Sequence, residues 1–278
     1  MEPLVSTQWL ADAIGAPDLR IVDATYILPE YGRDAAAEHR AAHIPGAVFA
    51  PFKSVSDPDS PLPNTLPSAD AFAAAASALG LSTDDRIVVY DNSPHHSAAR
   101  MWWLLRLFGA TRVAILDGGL AKWTAEGRPV AGGDAAPAPG RFAATRGDGG
   151  VRDLAQMKLA VADGAPIADA RSATRFAGLT TEPRAGVSPG HIPGSRNLPQ
   201  DCLFHVDETW KQGAELRAAF ADAGIDPDRP FIATCGSGVT AAVLVFGAHL
   251  LGHDAALYDG SWSEWGADPA TPKATGNA

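Results

Sequence analysis

The sequence predicts two tandem α/β domains, each a mainly parallel sheet flanked by helices. Short apolar runs alternate with helix-like stretches along the whole chain, the pattern of strands covered on both faces. The same landmarks also recur, in the same order, about 145 residues apart, which marks an internal repeat. I-V-D-A at Asp23 returns as I-A-D-A at Asp169, H-I-P-G at His43 returns at His191, and the helix-ending Gly80 returns as Gly224. Asp91 aligns with Cys235, and Asp117-Gly118 with Trp123 aligns with Asp259-Gly260 with Trp265.

Taken in order, Ser6 is placed to cap a first helix through Trp9, Leu10 and Ile14, and Leu19 to Val22 makes a strand ending at Asp23. A polar helical stretch ends near His39, H-I-P-G makes a turn, and the prolines between Pro51 and Pro67 exclude regular structure there. Ser68 caps an alanine-rich helix to Leu79. Ile87 to Tyr90 is a strand, a loop runs from Asp91 past His96, and a helix carries Arg100, Trp102, Trp103 and Leu107. Ala114 to Asp117 is a further strand, followed by Gly118, Gly119 and Trp123. From Ala131 to Gly150 the composition shifts to Gly, Ala, Pro and Asp. Residues 1–130 are therefore assigned to a first domain, 131–150 to an interdomain linker and 151–278 to a second domain.

The chain has 278 residues, 46% of them hydrophobic, which is enough for two real cores. Its formal net charge of −10 and the lack of any lysine-arginine cluster argue against nucleic acid or an anionic membrane as partner. Two cysteines, Cys202 and Cys235, cannot make a disulfide framework and suit a reducing compartment. No basic-then-apolar leader is visible and no apolar stretch reaches membrane-spanning length, so a cytoplasmic monomer is expected.

The chemistry centres on F-I-A-T-C-G-S-G-V-T, Phe231 to Thr240. A run of β-formers after Pro230 precedes Cys235, and an apolar helix follows Thr240. Glycines at 236 and 238 let the backbone curl so that successive N–H groups face inward, reinforced by the positive end of the helix. Such a cradle favours a thiolate, the nucleophilic form. The other reading of Cys235 is a small buried cysteine that fills a core. The repeat adds an asymmetry, because the first half carries Asp91 at the matching position and has no sulfur to offer.

With H-I-P-G in each half, C-G-S-G-V-T in the second and Y-D-G-S-W-S-E-W near the end, the chain resembles the two-domain rhodanese family from about Ser6 to Trp265. Within that family the loop looks like that of 3-mercaptopyruvate sulfurtransferases. The resemblance implies tandem rhodanese-like domains of which only the second is catalytic. It also implies a ping-pong reaction in which Cys235 takes the sulfur of 3-mercaptopyruvate, releases pyruvate, and passes the persulfide sulfur to a thiol, thioredoxin or cyanide. The backbone from Gly236 through Gly238 and Val239 to Thr240 is expected to hold the sulfur anion, and Ser237 to relay a proton toward the pyruvate enolate. Alternatively, Ser237 is a loop residue selected for small size. A 2-oxo acid carboxylate calls for guanidinium groups, and Arg175 and Arg184 match the carboxylate-binding arginines of the resembling enzymes; the other reading is two solvated surface charges. Arg171 is read as a structural partner of Asp169.

One position departs from the family pattern. Mercaptopyruvate sulfurtransferases often place an acidic residue and a histidine in the first domain's proline-rich loop, to act with the loop serine. An ungapped match puts Lys53 and Asn64 there. Asn64 is then a candidate donor to the substrate oxo group. His43 and His191 sit at equivalent turns in both halves, which suggests structural hydrogen bonds. No residues have metal-ligand spacing and no glycine-rich loop has a nucleotide-binding pattern, so no cofactor beyond the persulfide is expected. Two alternatives stay open. In thiosulfate sulfurtransferases the loop often reads C-R-K-G-V-T, with cations to meet a dianion, whereas Gly236 and Ser237 are neutral. A non-catalytic sulfur-carrier or interaction module is the other. A phosphatase of related fold needs an arginine where this chain has Ala241.

Overall fold

The computed structural model describes residues 1–134, 137–147 and 150–277. The first half runs β1 (Leu4–Val5), α1 (Thr7–Ala13), β2 (Leu19–Asp23), α2 (Ala35–Ala41), β3 (Ala47–Phe49), α3 (Ala69–Ala78), β4 (Arg86–Tyr90), α4 (Ala98–Leu107), β5 (Val113–Leu116) and α5 (Gly119–Ala125). The second runs β6 (Val151–Arg152), α6 (Leu154–Ala162), β7 (Ile167–Asp169), α7 (Ala173–Phe176), β8 (Arg196–Asn197), α8 (Gly213–Asp222), β9 (Ile232–Thr234), α9 (Ala241–Leu250), β10 (Ala256–Tyr258) and α10 (Ser261–Trp265). Each half builds a five-stranded sheet, β1-β5-β4-β2-β3 and β6-β10-β9-β7-β8, in which every recorded pair is parallel. The two strand orders are the same order, as the repeat requires.

The caps read from the sequence are present. Ser6 accepts from the Trp9 N–H at 3.1 Å and Ser68 from the Ala71 N–H at 3.2 Å, each satisfying a donor that a helix start leaves open. The strands the sequence does not reveal are β1, β3, β6 and β8. They are two or three residues long and lie at the sheet edges, so no period-2 pattern can develop in them. The proline-rich stretch is irregular apart from one short 3-10 turn at Phe52–Val55.

The chain divides into two compact units. Unit 1 comprises Met1–Asp59, Leu66–Gly147 and His205–Trp210, and unit 2 comprises Ser60–Thr65, Asp148–Phe204 and Lys211–Ala278. In unit 1, α1 and α5 cover one sheet face through Leu10, Leu120 and Trp123 against Ile21, Val88 and Leu116. In unit 2, Met157 of α6 and Trp262 and Trp265 of α10 pack on Ile167, Ile232 and Tyr258. The repeat-equivalent Trp123 and Trp265 are fully buried, and their indole N–H groups donate to the Pro129 and Pro272 carbonyls, so neither leaves a polar atom unpaired. Of the stretch read as a linker, residues 135, 136, 148 and 149 lie outside the described residues, as does 278 at the end of the second assigned domain. Residues 131–134 and 137–147 belong to unit 1: Ala131 bridges to His43, Phe142 meets Phe72 edge-on at 5.5 Å, and the Thr145 N–H reaches the Phe108 carbonyl; Gly150 belongs to unit 2, its carbonyl accepting the Leu257 N–H.

At the end of β4, Asp91 occupies the place that Cys235 takes in the second half. Its carboxylate accepts the Ser93 and Ala98 N–H groups at 3.0 and 2.6 Å. Burial, opposed by those two bonds, pushes its pKa up to about 7. The unfolded chain releases this proton near pH 4, so between about pH 4 and 7 the folded form binds the extra proton. The stabilisation is therefore full below pH 4 and is lost as pH rises through 7. The urea midpoint of Asp91→Asn is expected to gain on that of the unaltered protein between about pH 5 and pH 8; a pH-independent difference would contradict it.

Candidate active site

Cys235 follows β9 directly, at the carboxyl end of a central parallel strand, where open α/β sheets present their sites. It is 1% exposed. The loop is shaped by its neighbours as much as by its glycines. The N–H groups of Trp262 and Ser263, in the first turn of α10, take the carbonyls of Cys235 and Gly236, both at 2.9 Å. Gly238, at φ +79°, then turns the chain back so that its own N–H donates to Cys235 Sγ at 3.1 Å.

Ser261 is buried beside Cys235 and holds an unusual backbone, with φ +49°. Its Oγ accepts the Cys235 N–H at 3.3 Å, donates to the Tyr258 carbonyl at 2.8 Å and lies 4.0 Å from Sγ. Ser263 binds the other side of the loop. Its Oγ donates to the Gly236 carbonyl at 2.5 Å and accepts from Arg184 Nη1 at 2.9 Å. Arg184 is thereby tied to the loop through one hydroxyl.

The other arginines form a chain of alternating charge. Asp169, at the end of β7, takes Arg171 Nη2 at 2.6 Å and Nε at 3.1 Å, and Arg171 Nη1 reaches Glu182 Oε1 at 3.0 Å. Glu182 in turn accepts Arg175 Nη2 at 2.5 Å. Arg171 stacks over the Trp262 ring at 4.6 Å. Burial opposes its charge, yet the carboxylates of Asp169 and Glu182 and the charge of Cys235 raise its pKa above the usual value. Arg175 lies against Gly236, where a Cβ would stand 3.2 Å from Nη2, so a side chain at 236 would press on this guanidinium.

Ser237 is mostly buried, and its Oγ accepts from Asn64 Nδ2 at 3.1 Å. Asn64 belongs to the Ser60–Thr65 segment of unit 2 and has φ +58°, a left-handed conformation that asparagine tolerates better than most residues. The sequence reading aimed this amide at a substrate oxo group; in the structure it is engaged with the serine. Lys53 is exposed.

Direct contacts thus join Cys235 to Gly238 and Ser237 to Asn64, the Arg175 guanidinium stands where a side chain at 236 would go, and Arg184 reaches the loop by way of Ser263. Val239 and Thr240 open α9, their carbonyls accepting the N–H groups of Ala242 and Val243. Arg171 pairs with Asp169, as the sequence suggested. His43 and His191 are buried and bond the His39 and Phe176 carbonyls through Nδ1, the structural role read for both. Sequence reasoning missed Glu182, Ser261 and Ser263. All three lie beside residues it had singled out, Glu182 two positions before Arg184 and the serines within S-W-S-E-W, but nothing in those stretches says which side chain turns inward. Among the described residues no group of His, Cys, Asp and Glu could hold a metal ion, and no helix is long and apolar enough to cross a membrane.

The comparisons with known proteins bear on the family and the fold. The family model described as "Rhodanese-like domain" matches twice, at residues 6–126 and 153–268. The human 3-mercaptopyruvate sulfurtransferase is 40% identical over 270 residues, 94% of this chain and 91% of its own. The mitochondrial thiosulfate/3-mercaptopyruvate sulfurtransferase 1 of Arabidopsis thaliana is 40% identical over 294 residues, 98% of this chain and 78% of its own. The crystal structure of SseA, a 3-mercaptopyruvate sulfotransferase from Escherichia coli, superposes with a TM-score of 0.85 at 39% identity, covering 94% of this chain and 99% of that one.

Proposed function

The chain belongs to the rhodanese family, and from that premise we propose that it is a sulfurtransferase that takes sulfur from 3-mercaptopyruvate through a persulfide on Cys235. One observation carries the reading: a buried cysteine at the end of β9 whose sulfur accepts a backbone N–H, beside a neutral Gly236-Ser237 pair and two guanidinium groups. The thiolate attacks the thiol sulfur of the donor, an S–S bond forms, and the C–S bond breaks with its electron pair going to the carbon fragment. That fragment is the pyruvate enolate, which gains a proton to become pyruvate. The persulfide sulfur then passes to a thiol, thioredoxin or cyanide. The two-cysteine composition supports a cytoplasmic setting.

In this reading Arg184 and Arg175 hold the donor carboxylate, and the N–H groups of the 236–240 loop hold the sulfur anion. Ser237 acts as a hydrogen-bond donor to the enolate. A hydroxyl that accepts from a fixed amide has its own proton free to point elsewhere, and Asn64 supplies such an amide at 3.1 Å. Asparagine has no basic nitrogen to take a proton, so Asn64 is a positioning residue and not a relay. Asn64→Asp, which presents an acceptor to Ser237, is expected to lower kcat about 10-fold or more with little change in KM, and Asn64→Ala to cost less. Equal kcat in all three proteins would remove Asn64 from the mechanism.

The test of the function is the ratio of kcat/KM for 3-mercaptopyruvate to that for thiosulfate, expected to favour the 2-oxo acid at least about 10-fold. A preference for thiosulfate would make the chain a thiosulfate sulfurtransferase. No turnover of either donor would leave a non-catalytic sulfur-carrier module.

A further inference from the structure

We propose that Glu182 is a specificity-determining residue: by neutralising Arg175 it leaves Arg184 as the uncompensated guanidinium of the site and so matches the site to a donor bearing one negative charge. The inference rests on the proposed sulfur-transfer reading and extends it to a residue that contacts neither sulfur nor carboxylate in that scheme.

The argument begins with burial. The side chains of Asp169, Arg171 and Glu182 are 1%, 1% and 4% exposed, whereas that of Arg175 is 26% exposed. Charges that deep are kept only when paired, and these are paired in strict alternation, Asp169 with Arg171, Arg171 with Glu182, and Glu182 with Arg175. Two carboxylates and two guanidinium groups leave the ladder with no net charge. Arg184 stands apart, since it donates to the neutral Ser263 hydroxyl and has no carboxylate partner among the described residues.

A mono-anionic 2-oxo acid then meets Arg184 and the free Nη1 edge of Arg175, both of which can donate to a planar carboxylate. A dianion of similar size brings a second charge that nothing in the ladder is free to balance, and it faces the thiolate as well. Glu182 also aims the ladder. Two of its contacts fall on Arg175, from Nη2 and, more loosely at 3.4 Å, from Nε, which presents the remaining guanidinium edge on the Gly236 side. The neutral loop and the neutralised arginine act in the same direction.

The experiment compares kcat/KM for thiosulfate and for 3-mercaptopyruvate in Glu182→Gln, Glu182→Asp and the unaltered enzyme, with a thermal melt of each. Glu182→Gln removes the charge and is expected to raise the thiosulfate-to-mercaptopyruvate ratio about 10-fold or more, equivalent to about 1.4 kcal/mol of discrimination. Glu182→Asp keeps the charge on a shorter arm and is expected to hold the ratio within about 3-fold, even where both absolute rates fall. A ratio unmoved in Glu182→Gln, or moved as far in Glu182→Asp, would overturn the inference and make Glu182 a structural brace. If Glu182→Gln does not fold, inhibition of the unaltered enzyme decides. Pyruvate is expected to inhibit at least about 10-fold more tightly than sulfate, and the reverse order overturns the inference. Failure of the unaltered enzyme to release pyruvate from mercaptopyruvate would overturn the proposed function itself, an outcome distinct from an unmoved ratio.

Discussion

Cys235→Ser is expected to abolish pyruvate release from 3-mercaptopyruvate, lowering kcat by at least about 10^4-fold, and to remove the one-sulfur mass gain that the donor leaves on the unaltered enzyme. The size of the effect follows from the lack of a substitute. A serine hydroxyl is a far weaker nucleophile toward sulfur than a thiolate, and oxygen cannot carry the transferred atom as a persulfide. The other cysteine, Cys202, is exposed as a residue, has its thiol pKa pushed up by partial burial of the thiol, and among the described residues accepts no backbone N–H on its sulfur. Cys202→Ser should therefore keep full activity and the full mass gain. A persulfide found on Cys202, or turnover surviving in Cys235→Ser, would sink the assignment. The substitution should not disturb the fold, because the bonds from the Trp262 and Ser263 N–H groups to the Cys235 and Gly236 carbonyls are made by the backbone and do not involve the substituted sulfur.

The second large effect is expected at Arg184. Arg184→Ala should raise KM for 3-mercaptopyruvate about 100-fold, the loss of a charge-assisted bond to the donor carboxylate, and should harm thiosulfate use less. Because Arg184 touches the protein chiefly through the Ser263 hydroxyl, its removal leaves no buried charge unpaired and stability should hold. Arg175→Ala should differ in kind. It strips one partner from Glu182, whose side chain is 4% exposed, so the variant should lose thermal stability as well as affinity. Equal losses with both donors at Arg184 would mean that it positions the loop and does not bind the carboxylate. The measurement is a pair of KM values and a melting temperature for each variant.

Much of the fold was legible because the repeat doubled every weak signal. A three-residue strand such as Ile167–Asp169 would pass unnoticed alone, but its match to Leu19–Asp23 makes both visible. The edge strands Leu4–Val5 and Val151–Arg152 escaped for the opposite reason. Two residues have no period, and only a neighbouring strand makes them β-structure. The equivalent aspartates at the strand ends show where repeat logic stops. Asp23 bonds His39 and Tyr90 in the first half, whereas Asp169 anchors the arginine ladder in the second, a divergence made by the residues that face them.

For the site, sequence alone determined what is local. A strand, a cysteine, two glycines and a helix start are contiguous, and their backbone geometry follows from the order in which they occur, so Cys235, Gly238 and the helix after Thr240 could be placed without coordinates. Tertiary structure alone decided the partners. Asn64 reaches Ser237 across 173 positions, Arg184 reaches Ser263 across 79, and Ser263 reaches Gly236 across 27. Hydrogen bonds between residues so far apart leave no periodicity in a sequence, because what selects them is the direction in which each backbone presents its side chain once the sheet has formed. The place of Cys235 was therefore written in the chain order, while the charges around its loop were set by folding.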